Sequence, residues 1–353
     1  MIRMIKKSFL GTAAIIAAIA TTGCGGSADK NYSVTFPVPA SSEGEMAYLV
    51  NFDTGEHIDS LVINGSELTF TGSTDKPVLA RLLVNGQRKV MFVLEPGTLA
   101  VDSTGKVTGT ELNERFNSFD TFYRGLVEKM QALPQDSTSA EVALALEKEF
   151  NDERTRLMAE NSDNPLGYYL FLQDAYSFTP EQLDSALTAN PSMEEYKRVK
   201  DLRKAAECKR ATMPGCKFTD FEVTYNDSTV RLSDYVGKGR YTLVDFWASW
   251  CGPCIRETAV IKDLYKQYGG AKGLDVVGVA VWDEPDNTLK AIETHELPWP
   301  NIINAQTIPT DLYGISSIPC IILFAPDGTI VSRDLQDEAL RQSVAEAMGA
   351  ATK

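Results

Sequence analysis

Apolar and polar positions change rhythm twice along this chain. From Tyr32 to about Val107 they alternate in short runs broken by turn residues: Ala47 to Phe52, Ser60 to Ile63, Glu67 to Phe70, Leu79 to Val84 and Val90 to Leu94. A period of two puts every second side chain on one face, the mark of strands buried on one side. Asn64-Gly65 and Asn85-Gly86 tolerate positive φ and predict hairpin turns, and Pro96-Gly97 predicts another reversal. The stretch predicts a small all-β sandwich over residues 32–110 with no catalytic constellation. His57 stands alone among acidic and hydroxyl residues and reads as a surface histidine rather than a metal ligand.

Over residues 111–211 the apolar period becomes helical. Thr138 with Glu141, Thr179-Pro180 with Gln182, and Ser192 with Glu195 have capping-box spacing, and Asn164-Pro165 puts proline at a first helical position. Phe116, Phe119, Phe122 and Tyr123 share one helical face, which predicts a stripe packed on a neighbouring domain; Tyr168, Tyr169 and Phe171 read the same way. This middle region is expected to be a helical spacer.

From residue 212 strands and helices alternate, and the chemistry concentrates. The apolar run Tyr241 to Ala248 leads into Trp250-Cys251-Gly252-Pro253-Cys254, and Ile255 to Lys262 continues as a helix. Two cysteines at a helix start close a small disulfide with little backbone movement. The unpaired N–H groups and positive dipole end there favour the thiolate of the first sulfur. A bare pair of this spacing also serves as half a zinc site, but zinc needs two more ligands. Only His57 and His295 exist, each isolated, and no second such pair occurs. No metal or cofactor is expected. Asp245 lies inside the strand-like run, where a lone carboxylate is costly unless it has a task.

The N-terminus carries Arg3, Lys6 and Lys7, an apolar stretch from Phe9 to Ala20, and then Thr21-Thr22-Gly23-Cys24. That is a secretory signal over residues 1–23, too short to span a bilayer comfortably. The small residues before Cys24 resemble a lipobox, with Thr21 in place of the usual leucine-like residue. The resemblance implies lipidation of Cys24 and a short polar tether over residues 24–31. Gly25 leans the sorting slightly toward the outer membrane, facing the periplasm. The remaining chain exceeds what one compact core usually holds.

The chain has 48 acidic against 34 basic residues and a net charge of −14, which argues against nucleic acid or an anionic membrane surface as partner. Of six cysteines, Cys24, Cys251 and Cys254 are assigned, leaving Cys208, Cys216 and Cys320. Cys208 and Cys216 flank Pro214-Gly215 and are a candidate structural disulfide, against the alternative of two separate packed thiols.

The run Val244 to Cys254 resembles a thioredoxin active site nearly residue for residue. Gly314 to Pro319 followed by Cys320 to Phe324 resembles the loop that carries that family's cis-proline into the next strand, and Asp327-Gly328 reads as the following hairpin turn. Pro214-Gly215, Phe218, Leu232 to Lys238 and Val276 to Asp283 resemble the TlpA/ResA-type branch, so the likeness covers roughly residues 212–350 of the α/β domain 212–353. Leu94 to Gly97 resembles a β-domain of unknown function found ahead of thioredoxin-like domains in some lipoproteins. Ala259 stands where the family often has a kinking proline, and Cys320 where a threonine usually follows the cis-proline. If Ile318-Pro319 is cis, residue 320 is expected at the edge of the redox pair; Cys320 reads as a small buried residue in the threonine's place rather than a participant.

The resemblance implies that Cys251 attacks a substrate disulfide and Cys254 resolves the mixed disulfide, with Asp245 taking the Cys254 proton. Gly252 and Pro253 constrain the turn, Trp250 offers a flat apolar surface, and Pro319 holds the substrate chain. The Gly-Pro dipeptide is that of reducing thioredoxins, near about −270 mV rather than the −120 mV of periplasmic oxidants. The expected activity is an envelope-anchored protein disulfide reductase, with disulfide-bearing proteins as substrates and a membrane thiol reductase upstream. Two alternatives stay open: a partner- or glycan-binding lipoprotein with secondary redox activity, and a thiol peroxidase. The peroxidase needs P-x-x-x-T-x-x-C, and Val244 and Ala248 occupy its proline and threonine positions.

Overall fold

The computed structural model describes residues 30–134 and 139–350. The signal, Cys24 and the Thr138 cap lie outside the described residues. The chain divides into two compact units. Unit 1 runs to Phe178 and adds Ser185–Lys200; unit 2 takes Thr179–Asp184 and everything from Asp201. The helical stretch is therefore shared between them.

In unit 1, eight strands build two four-stranded sheets. They are β1 (Asn31–Pro37), β2 (Met46–Asn51), β3 (His57–Val62), β4 (Glu67–Ser73), β5 (Val78–Val84), β6 (Gln87–Leu94), β7 (Gly97–Val101) and β8 (Val107–Thr108). The sheet orders are β4-β1-β7-β8 and β3-β2-β5-β6. The inward residues meet in one core that includes Val34, Phe36, Leu49, Phe70, Leu82 and Phe92, all at most 3% exposed. Phe36 sits edge-on to both Phe70 and Phe92, at 6.1 and 5.6 Å between ring centres.

Asn85-Gly86 is the two-residue hairpin turn expected: both residues have positive φ and Val84 pairs with Gln87. Asn64-Gly65 is not a hairpin. β3 pairs with β2 while β4 pairs with β1, so this turn carries the chain from one sheet to the other. Its composition fixes a reversal, but pairing is decided by which face each strand buries. His57 is exposed on β3 against the ring of Tyr48 at 4.6 Å.

Helices α1 (Glu111–Gln131), α2 (Ser139–Glu160) and α3 (Pro165–Ala175) follow, then α4 (Pro180–Ala189) and α5 (Lys197–Ala211). The aromatic stripe of α1 packs on α2 and α3, in a cluster with Leu157, Leu166 and Leu170, not on a neighbouring domain as expected. Helices of this length bury their apolar face on the nearest matching stripe, and here other helices supply it. Asn113 and Asn117, one turn apart on α1, bond both backbone groups of Val93 and of Val107, so one helix face covers β6 and β8. Tyr168 is fully buried, donates to Asp53 at 2.7 Å and stacks on Tyr196 at 3.7 Å.

The Thr179/Gln182 box forms with both reciprocal bonds, and Asn164 accepts from Leu166 N and Gly167 N. The Ser192/Glu195 box does not form. The Ser192 hydroxyl donates to Ser162 O instead, and residues 191–195 make a 3₁₀ turn before α5.

Unit 2 holds the hairpin β9 (Glu222–Tyr225) and β10 (Ser228–Arg231), then β11 (Tyr241–Trp247), α6 (Gly252–Tyr268), β12 (Leu274–Ala280), α7 (Pro285–Thr294), β13 (Asn301–Ile302), α8 (Ile308–Tyr313), β14 (Cys320–Phe324), β15 (Ile330–Arg333) and α9 (Asp337–Ala350). The sheet order is β13-β12-β11-β14-β15, with β11, β12 and β13 parallel and β14 and β15 antiparallel to their neighbours. The sheet is buried on both faces, which is why β11 and β12 read as continuous apolar runs. Ile261, Leu264, Ala291, Leu340 and Val344 of α6, α7 and α9 cover one face; Tyr313 of α8, with Phe221 and Leu232, covers the other. This is a thioredoxin fold led by a hairpin.

Candidate active site

The site forms where β11 ends and α6 begins, at the carboxyl edge of the central strand. Alternation along β11 sends Val244 and Phe246 to one face and Leu243, Asp245 and Trp247 to the other, under α6. Cys251 caps α6, with its sulfur accepting the N–H of Cys254 at 3.1 Å, and Pro253 occupies the first turn, where no N–H is missed. Cys251 and Cys254 are joined in a disulfide, with Cα atoms 5.3 Å apart. Cys251 is 3% exposed and Cys254 fully buried, so the first sulfur is the accessible one.

The Ile318-Pro319 bond is cis, and the Cys251 sulfur lies 3.8 Å from Ile318 O. Gly314 opens this loop at φ 59°, where an added Cβ would stand 2.1 Å from Ala205 O, so only glycine fits. Trp250 is 62% exposed, a free aromatic surface beside the pair, and its indole N–H donates to Trp282 O at 2.9 Å.

Asp245 is 2% exposed, and its Oδ1 has no hydrogen-bond partner. Burial, reinforced by the neighbouring Glu257 carboxylate, pushes its pKa up to about 8. Glu257 is itself 4% exposed, and burial raises it too, although the N–H of Asp337 at the start of α9 donates to it at 2.9 Å. Two carboxyl groups with one such donor between them are suited to hold and release a proton near neutral pH.

Sequence reasoning placed Asp245, Cys251, Cys254, Trp250 and Pro319 here but passed over Glu257 and Asp283. Glu257 sits three residues after Cys254, hence on the same face of α6, a spacing legible once the helix start is known. Asp283 follows β12 and closes the Val276 to Asp283 likeness, which gave it no role. It is 4% exposed and accepts from Ser249 N, Ser249 Oγ and Thr288 Oγ1 at 2.7, 2.9 and 2.9 Å.

The remaining cysteines stand apart from the pair. Cys208 and Cys216 are free thiols, so of the two readings the candidate bridge is not formed; Cys216 Sγ instead donates to Arg210 O at 3.7 Å, at the end of α5. Cys320 is 2% exposed, but its side chain points away from the pair. It pairs with Phe246 across β11 and β14 and lies with Phe246 in the opposite core.

An α/β sheet of this order carrying a Cys-x-x-Cys disulfide at a helix start defines a thioredoxin-like domain with a thiol–disulfide site. Residues 214–333 match the AhpC/TSA family, and residues 32–116 match a domain of unknown function, DUF4369. The chain is similar to the thiol-disulfide oxidoreductase ResA of Oceanobacillus iheyensis, at 34% identity over 30% of this chain and 53% of that protein. Against the ResA of Geobacillus kaustophilus it is 31% identical over 35% of this chain and 69% of that protein. It spans only about half the length of some of these curated relatives, 53% and 56% for those of O. iheyensis and Geobacillus thermodenitrificans. The crystal structure of the thioredoxin domain of a Bacteroides vulgatus thiol-disulfide oxidoreductase covers 38% of this chain and 96% of its own, at 28% identity and a TM-score of 0.34. The chain belongs to the thioredoxin-like family of ResA-type thiol-disulfide oxidoreductases.

Proposed function

We propose that this protein is a protein disulfide reductase of the bacterial envelope. The observation that carries the reading is the Cys251–Cys254 disulfide at the start of α6, with the Cys254 N–H on the Cys251 sulfur and the buried Asp245, its Oδ1 unpartnered, on the same face of the sheet. In the reduced enzyme the Cys251 thiolate attacks one sulfur of a substrate disulfide. A mixed disulfide forms and the other substrate sulfur leaves as a thiolate. Asp245 takes the proton of Cys254, whose thiolate then attacks the Cys251 sulfur. The second substrate thiolate leaves, the substrate is reduced by two electrons, and the enzyme is left as the disulfide. A membrane thiol reductase restores the dithiol. Trp250 and Pro319, with Ile318 O beside Cys251, offer apolar contact and a backbone acceptor for an extended substrate chain. Gly252 and Pro253 hold the spacing of the sulfurs.

The signal over residues 1–23 directs export and is removed, and the lipidated Cys24 anchors the protein, with the outer membrane slightly favoured. No described helix is long and apolar enough to cross a membrane, which leaves the anchor to that terminus in this reading. Cys24→Ala is expected to release the protein from the membrane fraction; retention there with unshifted mass overturns the lipid anchor. The redox reading is tested by incubating Cys254→Ser cells and identifying what it captures. Accumulated mixed disulfides with envelope proteins are expected, and none overturns it.

One observation favours a binding role for unit 1 alongside this chemistry. A cleft of about 650 Å³ there is lined by Phe116 and Tyr169, by Arg88, Lys89, Lys106 and Arg124, and by the acidic Asp120 and Glu128. If the 212–353 fragment reduces insulin as fast as the longer chain, unit 1 serves recognition or location.

A further inference from the structure

We infer that Asp283 is a positioning residue for the redox pair: its carboxylate clamps the Ser249 end of the loop that presents Cys251 to the start of α6. The inference rests on the reading of Cys251 as the attacking thiolate.

Residues 248–251 leave β11 and must turn sharply to place Cys251 as the cap of α6. Cys251 N is tied to Ala248 O at 3.1 Å, but between these two the loop has no helix or strand partner of its own. The segment after β12 supplies that partner. Oδ2 of Asp283 accepts the Ser249 N–H and Oδ1 the Ser249 hydroxyl, so both groups of one residue are held by one carboxylate. A bidentate grip of this kind fixes rotation as well as distance. The carboxylate is itself held: Thr288 Oγ1 donates to Oδ2 at 2.9 Å, and Gln306 Nε2 donates to the Asp283 carbonyl at 2.7 Å. One residue earlier, Trp282 O accepts the indole N–H of Trp250. Two successive residues of this segment therefore grip two successive residues of the redox loop.

The backbone around the clamp carries left-handed residues. Trp282 and Gln306 have positive φ of 53° and 49°, conformations costly for side chains of this kind, and Asn304 at 65° takes a left-handed turn that asparagine tolerates. Gln306 also accepts that conformation while donating to Asn304 Oδ1 at 2.9 Å. Trp282 precedes Asp283 directly and Gln306 holds its carbonyl, while the Asp283 carboxylate itself is buried under Ser249. What the clamp secures is the position of the Cys251 sulfur under the Cys254 N–H, the contact that stabilises its thiolate.

Two effects of removing this carboxylate oppose each other, and that makes the test sharp. If Asp283 acts by position, its loss withdraws the thiolate from its donor and slows its chemistry. If it acts only as a nearby charge, its loss relieves repulsion and speeds that chemistry. The full chain is reduced, freed of reductant and treated with iodoacetamide at pH 7, and labelling is read at the Cys251 peptide by mass spectrometry. Asp283→Asn is expected to slow labelling roughly tenfold. The reduction potential against glutathione is expected to become more negative by about 30 mV, the equivalent of that factor for two electrons. Faster labelling with a more positive potential overturns positioning in favour of charge. Lower thermal stability with unchanged labelling and potential overturns it in favour of a structural role. Should Asp283→Asn fail to fold, Asp283→Glu decides: it keeps the charge but displaces the oxygens, so labelling at least about threefold slower is expected and the parent rate overturns the inference. If the parent Cys251 itself reacts no faster than glutathione, the reading of Cys251 as nucleophile fails instead, independently of Asp283.

Discussion

The two faces of the unit 2 sheet each bury a cysteine next to a carboxylate, Asp245 buried on one side and Asp334 exposed at the rim on the other, and they do opposite things with it. Under α6, Asp245 has an oxygen without a partner, Glu257 lies close by, and the Cys251 sulfur receives an N–H. On the other face Cys320 donates to Asp334 Oδ1 at 3.1 Å, and Asp334 in turn is held by Lys209 at 3.1 Å and Arg333 at 3.3 Å. Arg333 Nη1 donates to Thr212 O, Thr212 Oγ1 and Tyr313 O. Its Nε makes no hydrogen bond, yet stands within ion-pair distance of Asp334, so the charge is still compensated. Burial, and then Asp334, drive the Cys320 thiol far above its ordinary value, away from the reactive thiolate. Burial works to raise Asp334 as well, but Arg333, the thiol and Lys209 outweigh it and hold its carboxyl below the usual range. Cysteine and carboxylate make a reactive centre on one side and a closed network on the other. The difference lies in which polar groups are left unsatisfied.

The contrast breaks outright if the wrong face carries the chemistry. Cys251→Ser is expected to abolish insulin disulfide reduction, because no other thiol in unit 2 has both an N–H donor and access. Turnover in Cys251→Ser above the uncatalysed rate would show that Cys320 or another thiol substitutes for it.

Asp245 comes next. Asp245→Asn is expected to lower kcat roughly 100-fold at pH 7, the usual scale for losing a general base. The parent rate should climb through about pH 8 as Asp245 ionises, and the variant should lack that inflection. The same group makes a stability prediction of fixed sign. Its folded pKa is raised from 3.8 to about 8, so across that window the folded state holds a proton that the unfolded state has lost. Parent stability therefore falls as pH rises from about 4 to about 8, and Asp245→Asn should flatten that fall. Thermal unfolding at several pH values reads it; parallel curves for the two proteins would show Asp245 ionised throughout.

How much of this could be read without coordinates follows the same division. The redox pair, its helix start and Asp245 were legible because their signal is local: a fixed spacing and a charge inside an apolar run. The two-sheet unit was legible as strands, but the Asn64-Gly65 hairpin was misread, since pairing depends on the partners of β3 and β4 and not on the turn. The α1 stripe was legible as buried, while its partner helices were not. Glu257 and Asp283 escaped because their meaning depends on what lies across a helix face or a loop. The direction of Cys320 escaped for a related reason. Alternation along β14 decides which face it takes, and that needs the register with β11, which loop resemblance alone does not supply.

Arg333 tests whether the closed face is needed for the fold rather than the reaction. Arg333→Met removes a buried charge from between Thr212, Tyr313 and Asp334: Thr212 O loses its Nη1 donor, while Tyr313 O keeps Thr212 Oγ1 and Asp334 keeps Lys209 and Cys320. A loss of about 3 kcal/mol is expected, a fall in Tm of roughly 10 °C, with insulin reduction at 25 °C within about twofold of the parent. A large loss of activity at full stability would join this network to the chemistry.

The smallest expected effect is the one at Cys320. Threonine has nearly the same volume, and its hydroxyl can donate to Asp334 Oδ1 as the thiol does, so Cys320→Thr should leave the network closed and the redox face untouched. Activity within about twofold and a stability change under about 1.5 kcal/mol are expected, the scale of a volume-conserving core exchange. Labelling gives an independent reading. With the Cys251–Cys254 pair oxidised, Cys320 should resist alkylation until the protein is denatured, because it is 2% exposed and its proton is held by a carboxylate. Rapid labelling of the native protein, or a shift in reduction potential in Cys320→Thr, would mean that the two faces communicate through Pro319. The sheet would then be a conductor between two thiol sites rather than the wall that separates them.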